Sequence, residues 1–87
     1  MAIKPQNILK KMQNNFKEIY IQIGNSIRDK RKERGLTQQQ LADKDVKLDR
    51  SKISDIENGK EDFHFFTLLK ICEALNMNIK DVFTEKK

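Results

Sequence analysis

A chain of 87 residues with 37% hydrophobic composition has room for one domain with an economical core. It holds no run of about 18 apolar residues to span a bilayer and no charged-then-apolar secretory start. Its one cysteine, Cys72, cannot close an internal disulfide, and with one histidine it gives no metal-ligand spacing. A cytoplasmic protein with no cofactor and no membrane partner is therefore expected.

The net charge of +5 is unevenly spread. Residues 1–34 carry nine Lys/Arg against three Asp/Glu, whereas residues 35–87 carry nine against ten. The densest stretch is RDKRKER, Arg28 to Arg34. A polyanion is the natural partner of such an end. A solvated helix face is the plainer explanation, because Lys and Arg are good helix formers.

In chain order, Leu9, Met12, Phe16, Ile19, Ile23 and Ile27 recur at spacings of three and four, one face of a helix. Pro5 suits a first helical turn. A break near Gln13-Asn14-Asn15 is the alternative, since amides compete with helical backbone bonds. Gly35 closes the helix as a left-handed residue, with Leu36 folding back on it. The later part, around Ile23 and Ile27, suffices for a core. That leaves Leu9, Met12 and Phe16 as a seam for either the same chain or a second subunit.

Thr37-Gln-Gln-Gln40 is a capping box, opening a helix that buries Leu41 and Ala42 and loses its pattern at Asp43-Lys-Asp45. Asp49 caps the next helix, with Ile53 and Ile56 inward and Asn58-Gly59 as its stop. Both are about two turns long and need tertiary support. Phe65, Leu68, Leu69, Cys72 and Leu75 form an apolar stripe, with Phe63 placed to staple onto Leu68 across a cap at His64. Cys72 reads as a small core hydrophobe. Asn76 ends this helix, and Asn78 can cap a last short one carrying Ile79, Val82 and Phe83. No segment alternates with period two, so the fold class is all-α. A helix, a tight turn and a second helix with polar outward residues is the arrangement that presents the second helix to a DNA major groove.

LTQQQLA, SKISDIENGK and TLLKICEALNMNIKDVF together resemble the lambda-repressor-like, Cro/repressor-type (Xre) helix-turn-helix family, over about residues 20–83. The resemblance implies a five-helix DNA-binding domain over 16–84, its helix-turn-helix at about 37–58, behind an N-terminal helical extension of residues 1–15. The chain departs from the pattern between Ala42 and Ile53, where it carries one residue more. Asp45-Val46-Lys47-Leu48 also stands where the turn glycine belongs. Roles implied by the resemblance fall on Thr37 and Gln38 at the first short helix, Gln38 touching phosphate or bridging to a base. Arg50, Ser51, Lys52 and Asp55 fall on the outward face of the recognition helix, and Asn58 and Lys60 on a loop that touches phosphate. Arg31 and Glu57 match a structural ion pair. Read as residues alone, Thr37 is a cap before anything else, Asp55 can simply oppose Lys52, and the phenylalanines 63, 65 and 66 suit a core or dimer surface.

The resemblance implies a homodimeric, sequence-specific transcriptional regulator, a repressor or activator, on a two-fold symmetric operator in double-stranded DNA. An antitoxin with a toxin protein as partner, or a restriction–modification controller, shares the fold. An enzyme is not expected, since paired carboxylates, a Cys–His pair in register and a phosphate-cradling glycine loop are all missing.

Overall fold

The computed structural model describes residues 5–60 and 63–83, with side chains from residue 16 onward. These residues form four α-helices: α1 (Pro5–Glu33), α2 (Gln38–Ala42), α3 (Arg50–Glu57) and α4 (Phe65–Leu75). A 3₁₀ helix, Ile79–Phe83, follows. The described residues contain no strand, and the class is all-α. The fifth helix expected from the family is this 3₁₀ segment rather than an α-helix. A five-residue stretch that inserts only Val82 fully into the core gains little from a complete α-turn.

α1 runs without the break considered at Gln13-Asn14-Asn15. Gly35 (φ +71°) ends it, with the Leu36 amide donating to the Arg31 carbonyl at 3.0 Å. Leu9 and Met12 of the seam lie outside the residues whose side chains are described. Ile23 and Ile27 enter the core with Leu41, Ile53, Ile56, Leu68 and Ile71, while Phe16 and Ile19 stay exposed. Helices α1 and α3 meet closely at Gly24. A Cβ there would collide with the Ile56 carbonyl oxygen and lie 3.0 Å from that of Glu57.

On α4 the buried face is Thr67, Leu68, Ile71, Cys72 and Leu75, and the expected stripe is corrected at two positions. Leu69 faces solvent because the buried face runs from Leu68 to Ile71 and Leu75, whereas Phe65 is in register with Leu68 and Cys72 but stands exposed at the first residue of α4. His64 occupies the N-cap position without a side-chain cap bond. Phe63 is half-buried against the core and meets Tyr20 edge to face at 5.5 Å between ring centres. Burial, then the charge of Asp81, pushes the Cys72 thiol up to about 11. Cys72 is thus an inert core residue.

The α2–α3 turn shows how the additional residue is absorbed. The amides of Lys44 and Asp45 donate to the carbonyls of Leu41 and Ala42, and the Leu48 amide donates to the Asp45 carbonyl at 3.0 Å. The Asp45 carboxylate accepts from the Lys47 amide at 2.8 Å and pairs with Lys70 of α4 at 2.7 Å. Leu48 is buried and Val46 is fully exposed at the tip. No glycine is needed, because among the described residues other than glycine only Asn76 has positive φ.

Candidate nucleic-acid interface

The start of α2 is fixed by both halves of the capping box. The Gln40 amide donates to Thr37 Oγ1 at 3.0 Å, and the Thr37 amide donates to Gln40 Oε1 at 2.8 Å. Asp49 caps α3 by accepting from the Ser51 amide and hydroxyl, each at 2.8 Å. These short polar contacts supply the orphaned amides that helices of five and eight residues cannot satisfy themselves.

The inward side of α3 is apolar at Ile53 and Ile56 and ionic at Glu57, which is only 2% exposed. Arg31 grips its carboxylate by two bonds, Nε to Oε2 at 2.6 Å and Nη2 to Oε1 at 2.8 Å. Gln38 of α2 donates to Oε1 at 3.2 Å, and Arg28 stands 3.6 Å from the same oxygen. Glu57 therefore joins α1, α2 and α3 at one point. Burial pushes its carboxyl up, but the bonds from Arg31 and Gln38 and the charges of Arg31 and Arg28 outweigh this. The net displacement is below the usual carboxylate range. The Arg31 guanidinium is raised in turn, chiefly by its bond to Glu57.

Gln38 is consequently engaged inside the domain, and its remaining amide oxygen lies 3.5 Å from Arg50 Nη1. Arg50, Ser51 and Lys52 are exposed on the outward face of α3 and Asp55 is partly so. Asp55 pairs with Lys60 at 3.1 Å rather than opposing Lys52, because the turn after α3 brings Lys60 back to it. Asn58 is the C-cap of α3 and Gly59 (φ +78°) reverses the chain there. The outward residues thus form one polar surface from the first turn of α3 to the loop behind it.

Arg28 was not legible as a site residue. Its Nη2 donates to the Glu57 carbonyl at 2.8 Å and lies 3.4 Å from Asn58 Oδ1, setting a cation at the negative end of α3. Arg34 does the same for α4, with Nε donating to the Leu75 carbonyl at 3.0 Å. The spacing 28, 31, 34 holds the signal, since three residues apart on a helix share a face.

An α2–turn–α3 unit with a polar outward helix, clamped to a flanking helix from behind, defines a helix-turn-helix DNA-binding domain. The helix-turn-helix domain family matches residues 24–87, and the chain belongs to it. Its function class is DNA binding in transcription regulation. A protein of Mycoplasma sp named control protein C.MunI is 32% identical over 68 residues, covering 78% of this chain and 92% of that protein. No solved structure matches the chain. No helix among the described residues is long and apolar enough to cross a membrane.

Proposed function

We propose that the chain is a sequence-specific regulator that occupies a two-fold symmetric operator as a homodimer, with α3 of each subunit in the major groove of one half-site. The observation that carries this reading is the division of α3 into two faces. Ile53, Ile56 and Glu57 are locked inside, while Arg50, Ser51, Lys52 and Asp55 are left free of core duties. Arg50 can grip guanine by two bonds, Ser51 can serve as donor or acceptor, and Asp55 can accept from the cytosine amino group. Lys52 supplies charge beside them. Thr37, Gln38, Asn58 and Lys60 flank this face and contact phosphates. Gln38 has a second task, carrying the position of Glu57 outward to Arg50.

The test is selection of bound duplexes from a random pool, followed by footprinting. An inverted repeat with half-site centres one helical turn, about 34 Å, apart is expected. Enrichment of a lone half-site, or of no sequence, overturns the proposal. The likeness to a protein named as a control protein favours one form of this role, the controller of a restriction–modification operon. In that form the footprinted repeat lies upstream of restriction–modification genes beside the chain's own gene.

A further inference from the structure

An apolar groove of about 280 Å³ lies between α1, Phe63 and the start of α4. Phe16, Ile19 and Tyr20 of α1 form one wall, Phe63 and Phe65 the other, and Phe83 closes an end. Ile23 and Leu68 are its floor. The rim is exposed: Phe16 58%, Ile19 42%, Phe65 59% and Phe83 49%. A contiguous apolar surface of this kind marks an interface.

We infer that this groove is the seat for the first turns of α1, residues 5–15, of a second copy of this chain, so that two subunits exchange these segments. The inference rests on the proposed homodimer and says how it is made. The helix itself excludes the same chain as donor. α1 is continuous from Pro5 to Glu33, and the twelve residues from Pro5 to Phe16 rise about 16 Å in one direction. A segment that runs straight on from the wall of a groove cannot turn back into it.

Area argues for the segment as well as the groove. With about 150–250 Å² on each aromatic side chain, the four half-exposed rim residues offer roughly 400 Å² per copy. A symmetric pairing of rims alone would cover about 800 Å² in total, short of the roughly 1,200–2,000 Å² of a stable interface. Residues 5–15 contain Ile8, Leu9 and Met12, and Leu9 and Met12 continue the three-and-four spacing that reaches the groove at Phe16 and Ile19. Adding them on both sides supplies the difference. The exchange is self-complementary, as a two-fold interface must be.

The experiment uses the full chain and reads mass by light scattering and sedimentation, without DNA. One variant carries Leu9→Glu and Met12→Glu, the other Phe65→Lys and Phe83→Lys. Each alone is expected to weaken self-association by about 30-fold or more, the scale of losing a central interface residue. Mixed in equal amounts, they restore the dimer. The acidic segment then meets the basic groove, and the unaltered segment meets the unaltered groove. Circular dichroism checks that each variant keeps the parent's helix content, and the rescue on mixing shows that both still fold. A parent that is monomeric throughout, a variant that pairs like the parent, or a mixture that stays monomeric overturns the inference. The proposed function fails separately. A chain that pairs this way yet selects no DNA sequence loses the operator reading only. One that footprints an inverted repeat with mass unmoved by both variants loses the groove reading only.

Discussion

In the C-terminal half of α1, Ile23, Ile27 and Arg31 are buried, Gly24 admits the backbone of α3, and Arg28, with Arg34 just past the helix end, bonds the carbonyls of neighbouring helices. In the turn from Phe16 to Ile21, the same helix leaves Phe16, Ile19 and Ile21 exposed. One half is filled by contacts within the chain, and the other leaves most of its apolar side chains uncovered. Helical periodicity alone does not distinguish them, because it reports that a face is apolar and not what covers it.

The sharpest way to break the filled half is Glu57→Ala. It leaves Arg31 buried without its partner, an effect of about 3–5 kcal/mol. At about 4–8 °C per kcal/mol for a domain of this size, the melting temperature falls by more than about 12 °C. DNA binding weakens with it, since Gln38 loses its anchor. A melt like the parent's would show that the ion pair contributes nothing. The same residue gives a pH dependence. Its folded pKa is lowered, so its contribution is fully present above the unfolded value of about 4.3 and is lost as pH falls through the folded one. Asp45, through its bond to Lys70, and Asp49, through the Ser51 amide, shift in the same direction. Acid unfolding curves should therefore keep part of their slope in Glu57→Ala, with the Glu57 share removed.

Gly24→Ala comes next. The new Cβ meets backbone on α3, not a side chain that can swing away, so α1 and α3 must part. Overpacking of this kind costs about 1–3 kcal/mol. Chemical denaturation should show a lower midpoint with an unchanged slope. A midpoint at the parent's value would mean that the two helices can separate freely.

How far these contacts could be read beforehand depends on whether they are local. The caps at Thr37 and Asp49 and the stops at Gly35 and Asn58-Gly59 involve residues two to five apart, and their signatures lie in the sequence itself. The Arg31–Glu57 contact spans 26 positions, and only the family resemblance pointed to it. The bond between Asp45 and Lys70 had no signal, since nothing local ties a turn aspartate to a lysine on α4. Read as charge, RDKRKER suggested a polyanion or a solvated face. Arg28 and Arg34 hold the ends of α3 and α4, and Arg31 binds the Glu57 carboxylate and the Leu36 carbonyl; composition cannot reveal this, because a cation suits a helix C-terminus as well as a phosphate. The apolar spacing from Leu9 to Ile23 stands in the sequence, with the side chains of Leu9 and Met12 outside the described residues. Where along it the chain's own core stops is decided by what packs on α1: Ile23 is buried in the core, Tyr20 meets Phe63 edge to face, and Phe16 and Ile19 stay exposed.

On the outward face, Arg50→Ala should reduce binding to the selected site by about 1–3 kcal/mol and relax preference at one base position. Lys60→Ala should lower affinity for all sequences alike and reduce the salt slope by about one unit. Its bond to Asp55 is a surface pair worth less than about 1 kcal/mol, so folding is hardly touched. Titrations on selected and random duplexes at several salt concentrations separate the two. An equal loss on both duplexes for Arg50→Ala would remove it from the readers.

The smallest effect belongs to the unfilled half and is as informative as the largest. Ile19 and Ile27 are the same residue type on the same helix, eight positions or about 80° apart and within one apolar stripe. Their exposures are 42% and 0%. Ile27→Ala opens a cavity among α1, α3 and α4 residues and should cost about 2–5 kcal/mol. Ile19→Ala, melted at a concentration low enough to hold the chain monomeric, should stay within about 0.5 kcal/mol of the parent. Raising the concentration should then separate Ile19→Ala from the parent, because only the parent gains stability by association through an intact rim. A large loss in dilute solution would instead place Ile19 in the domain's own core. The boundary between what α1 does for its own fold and what it offers a second copy would then lie nearer the N-terminus than Ile23.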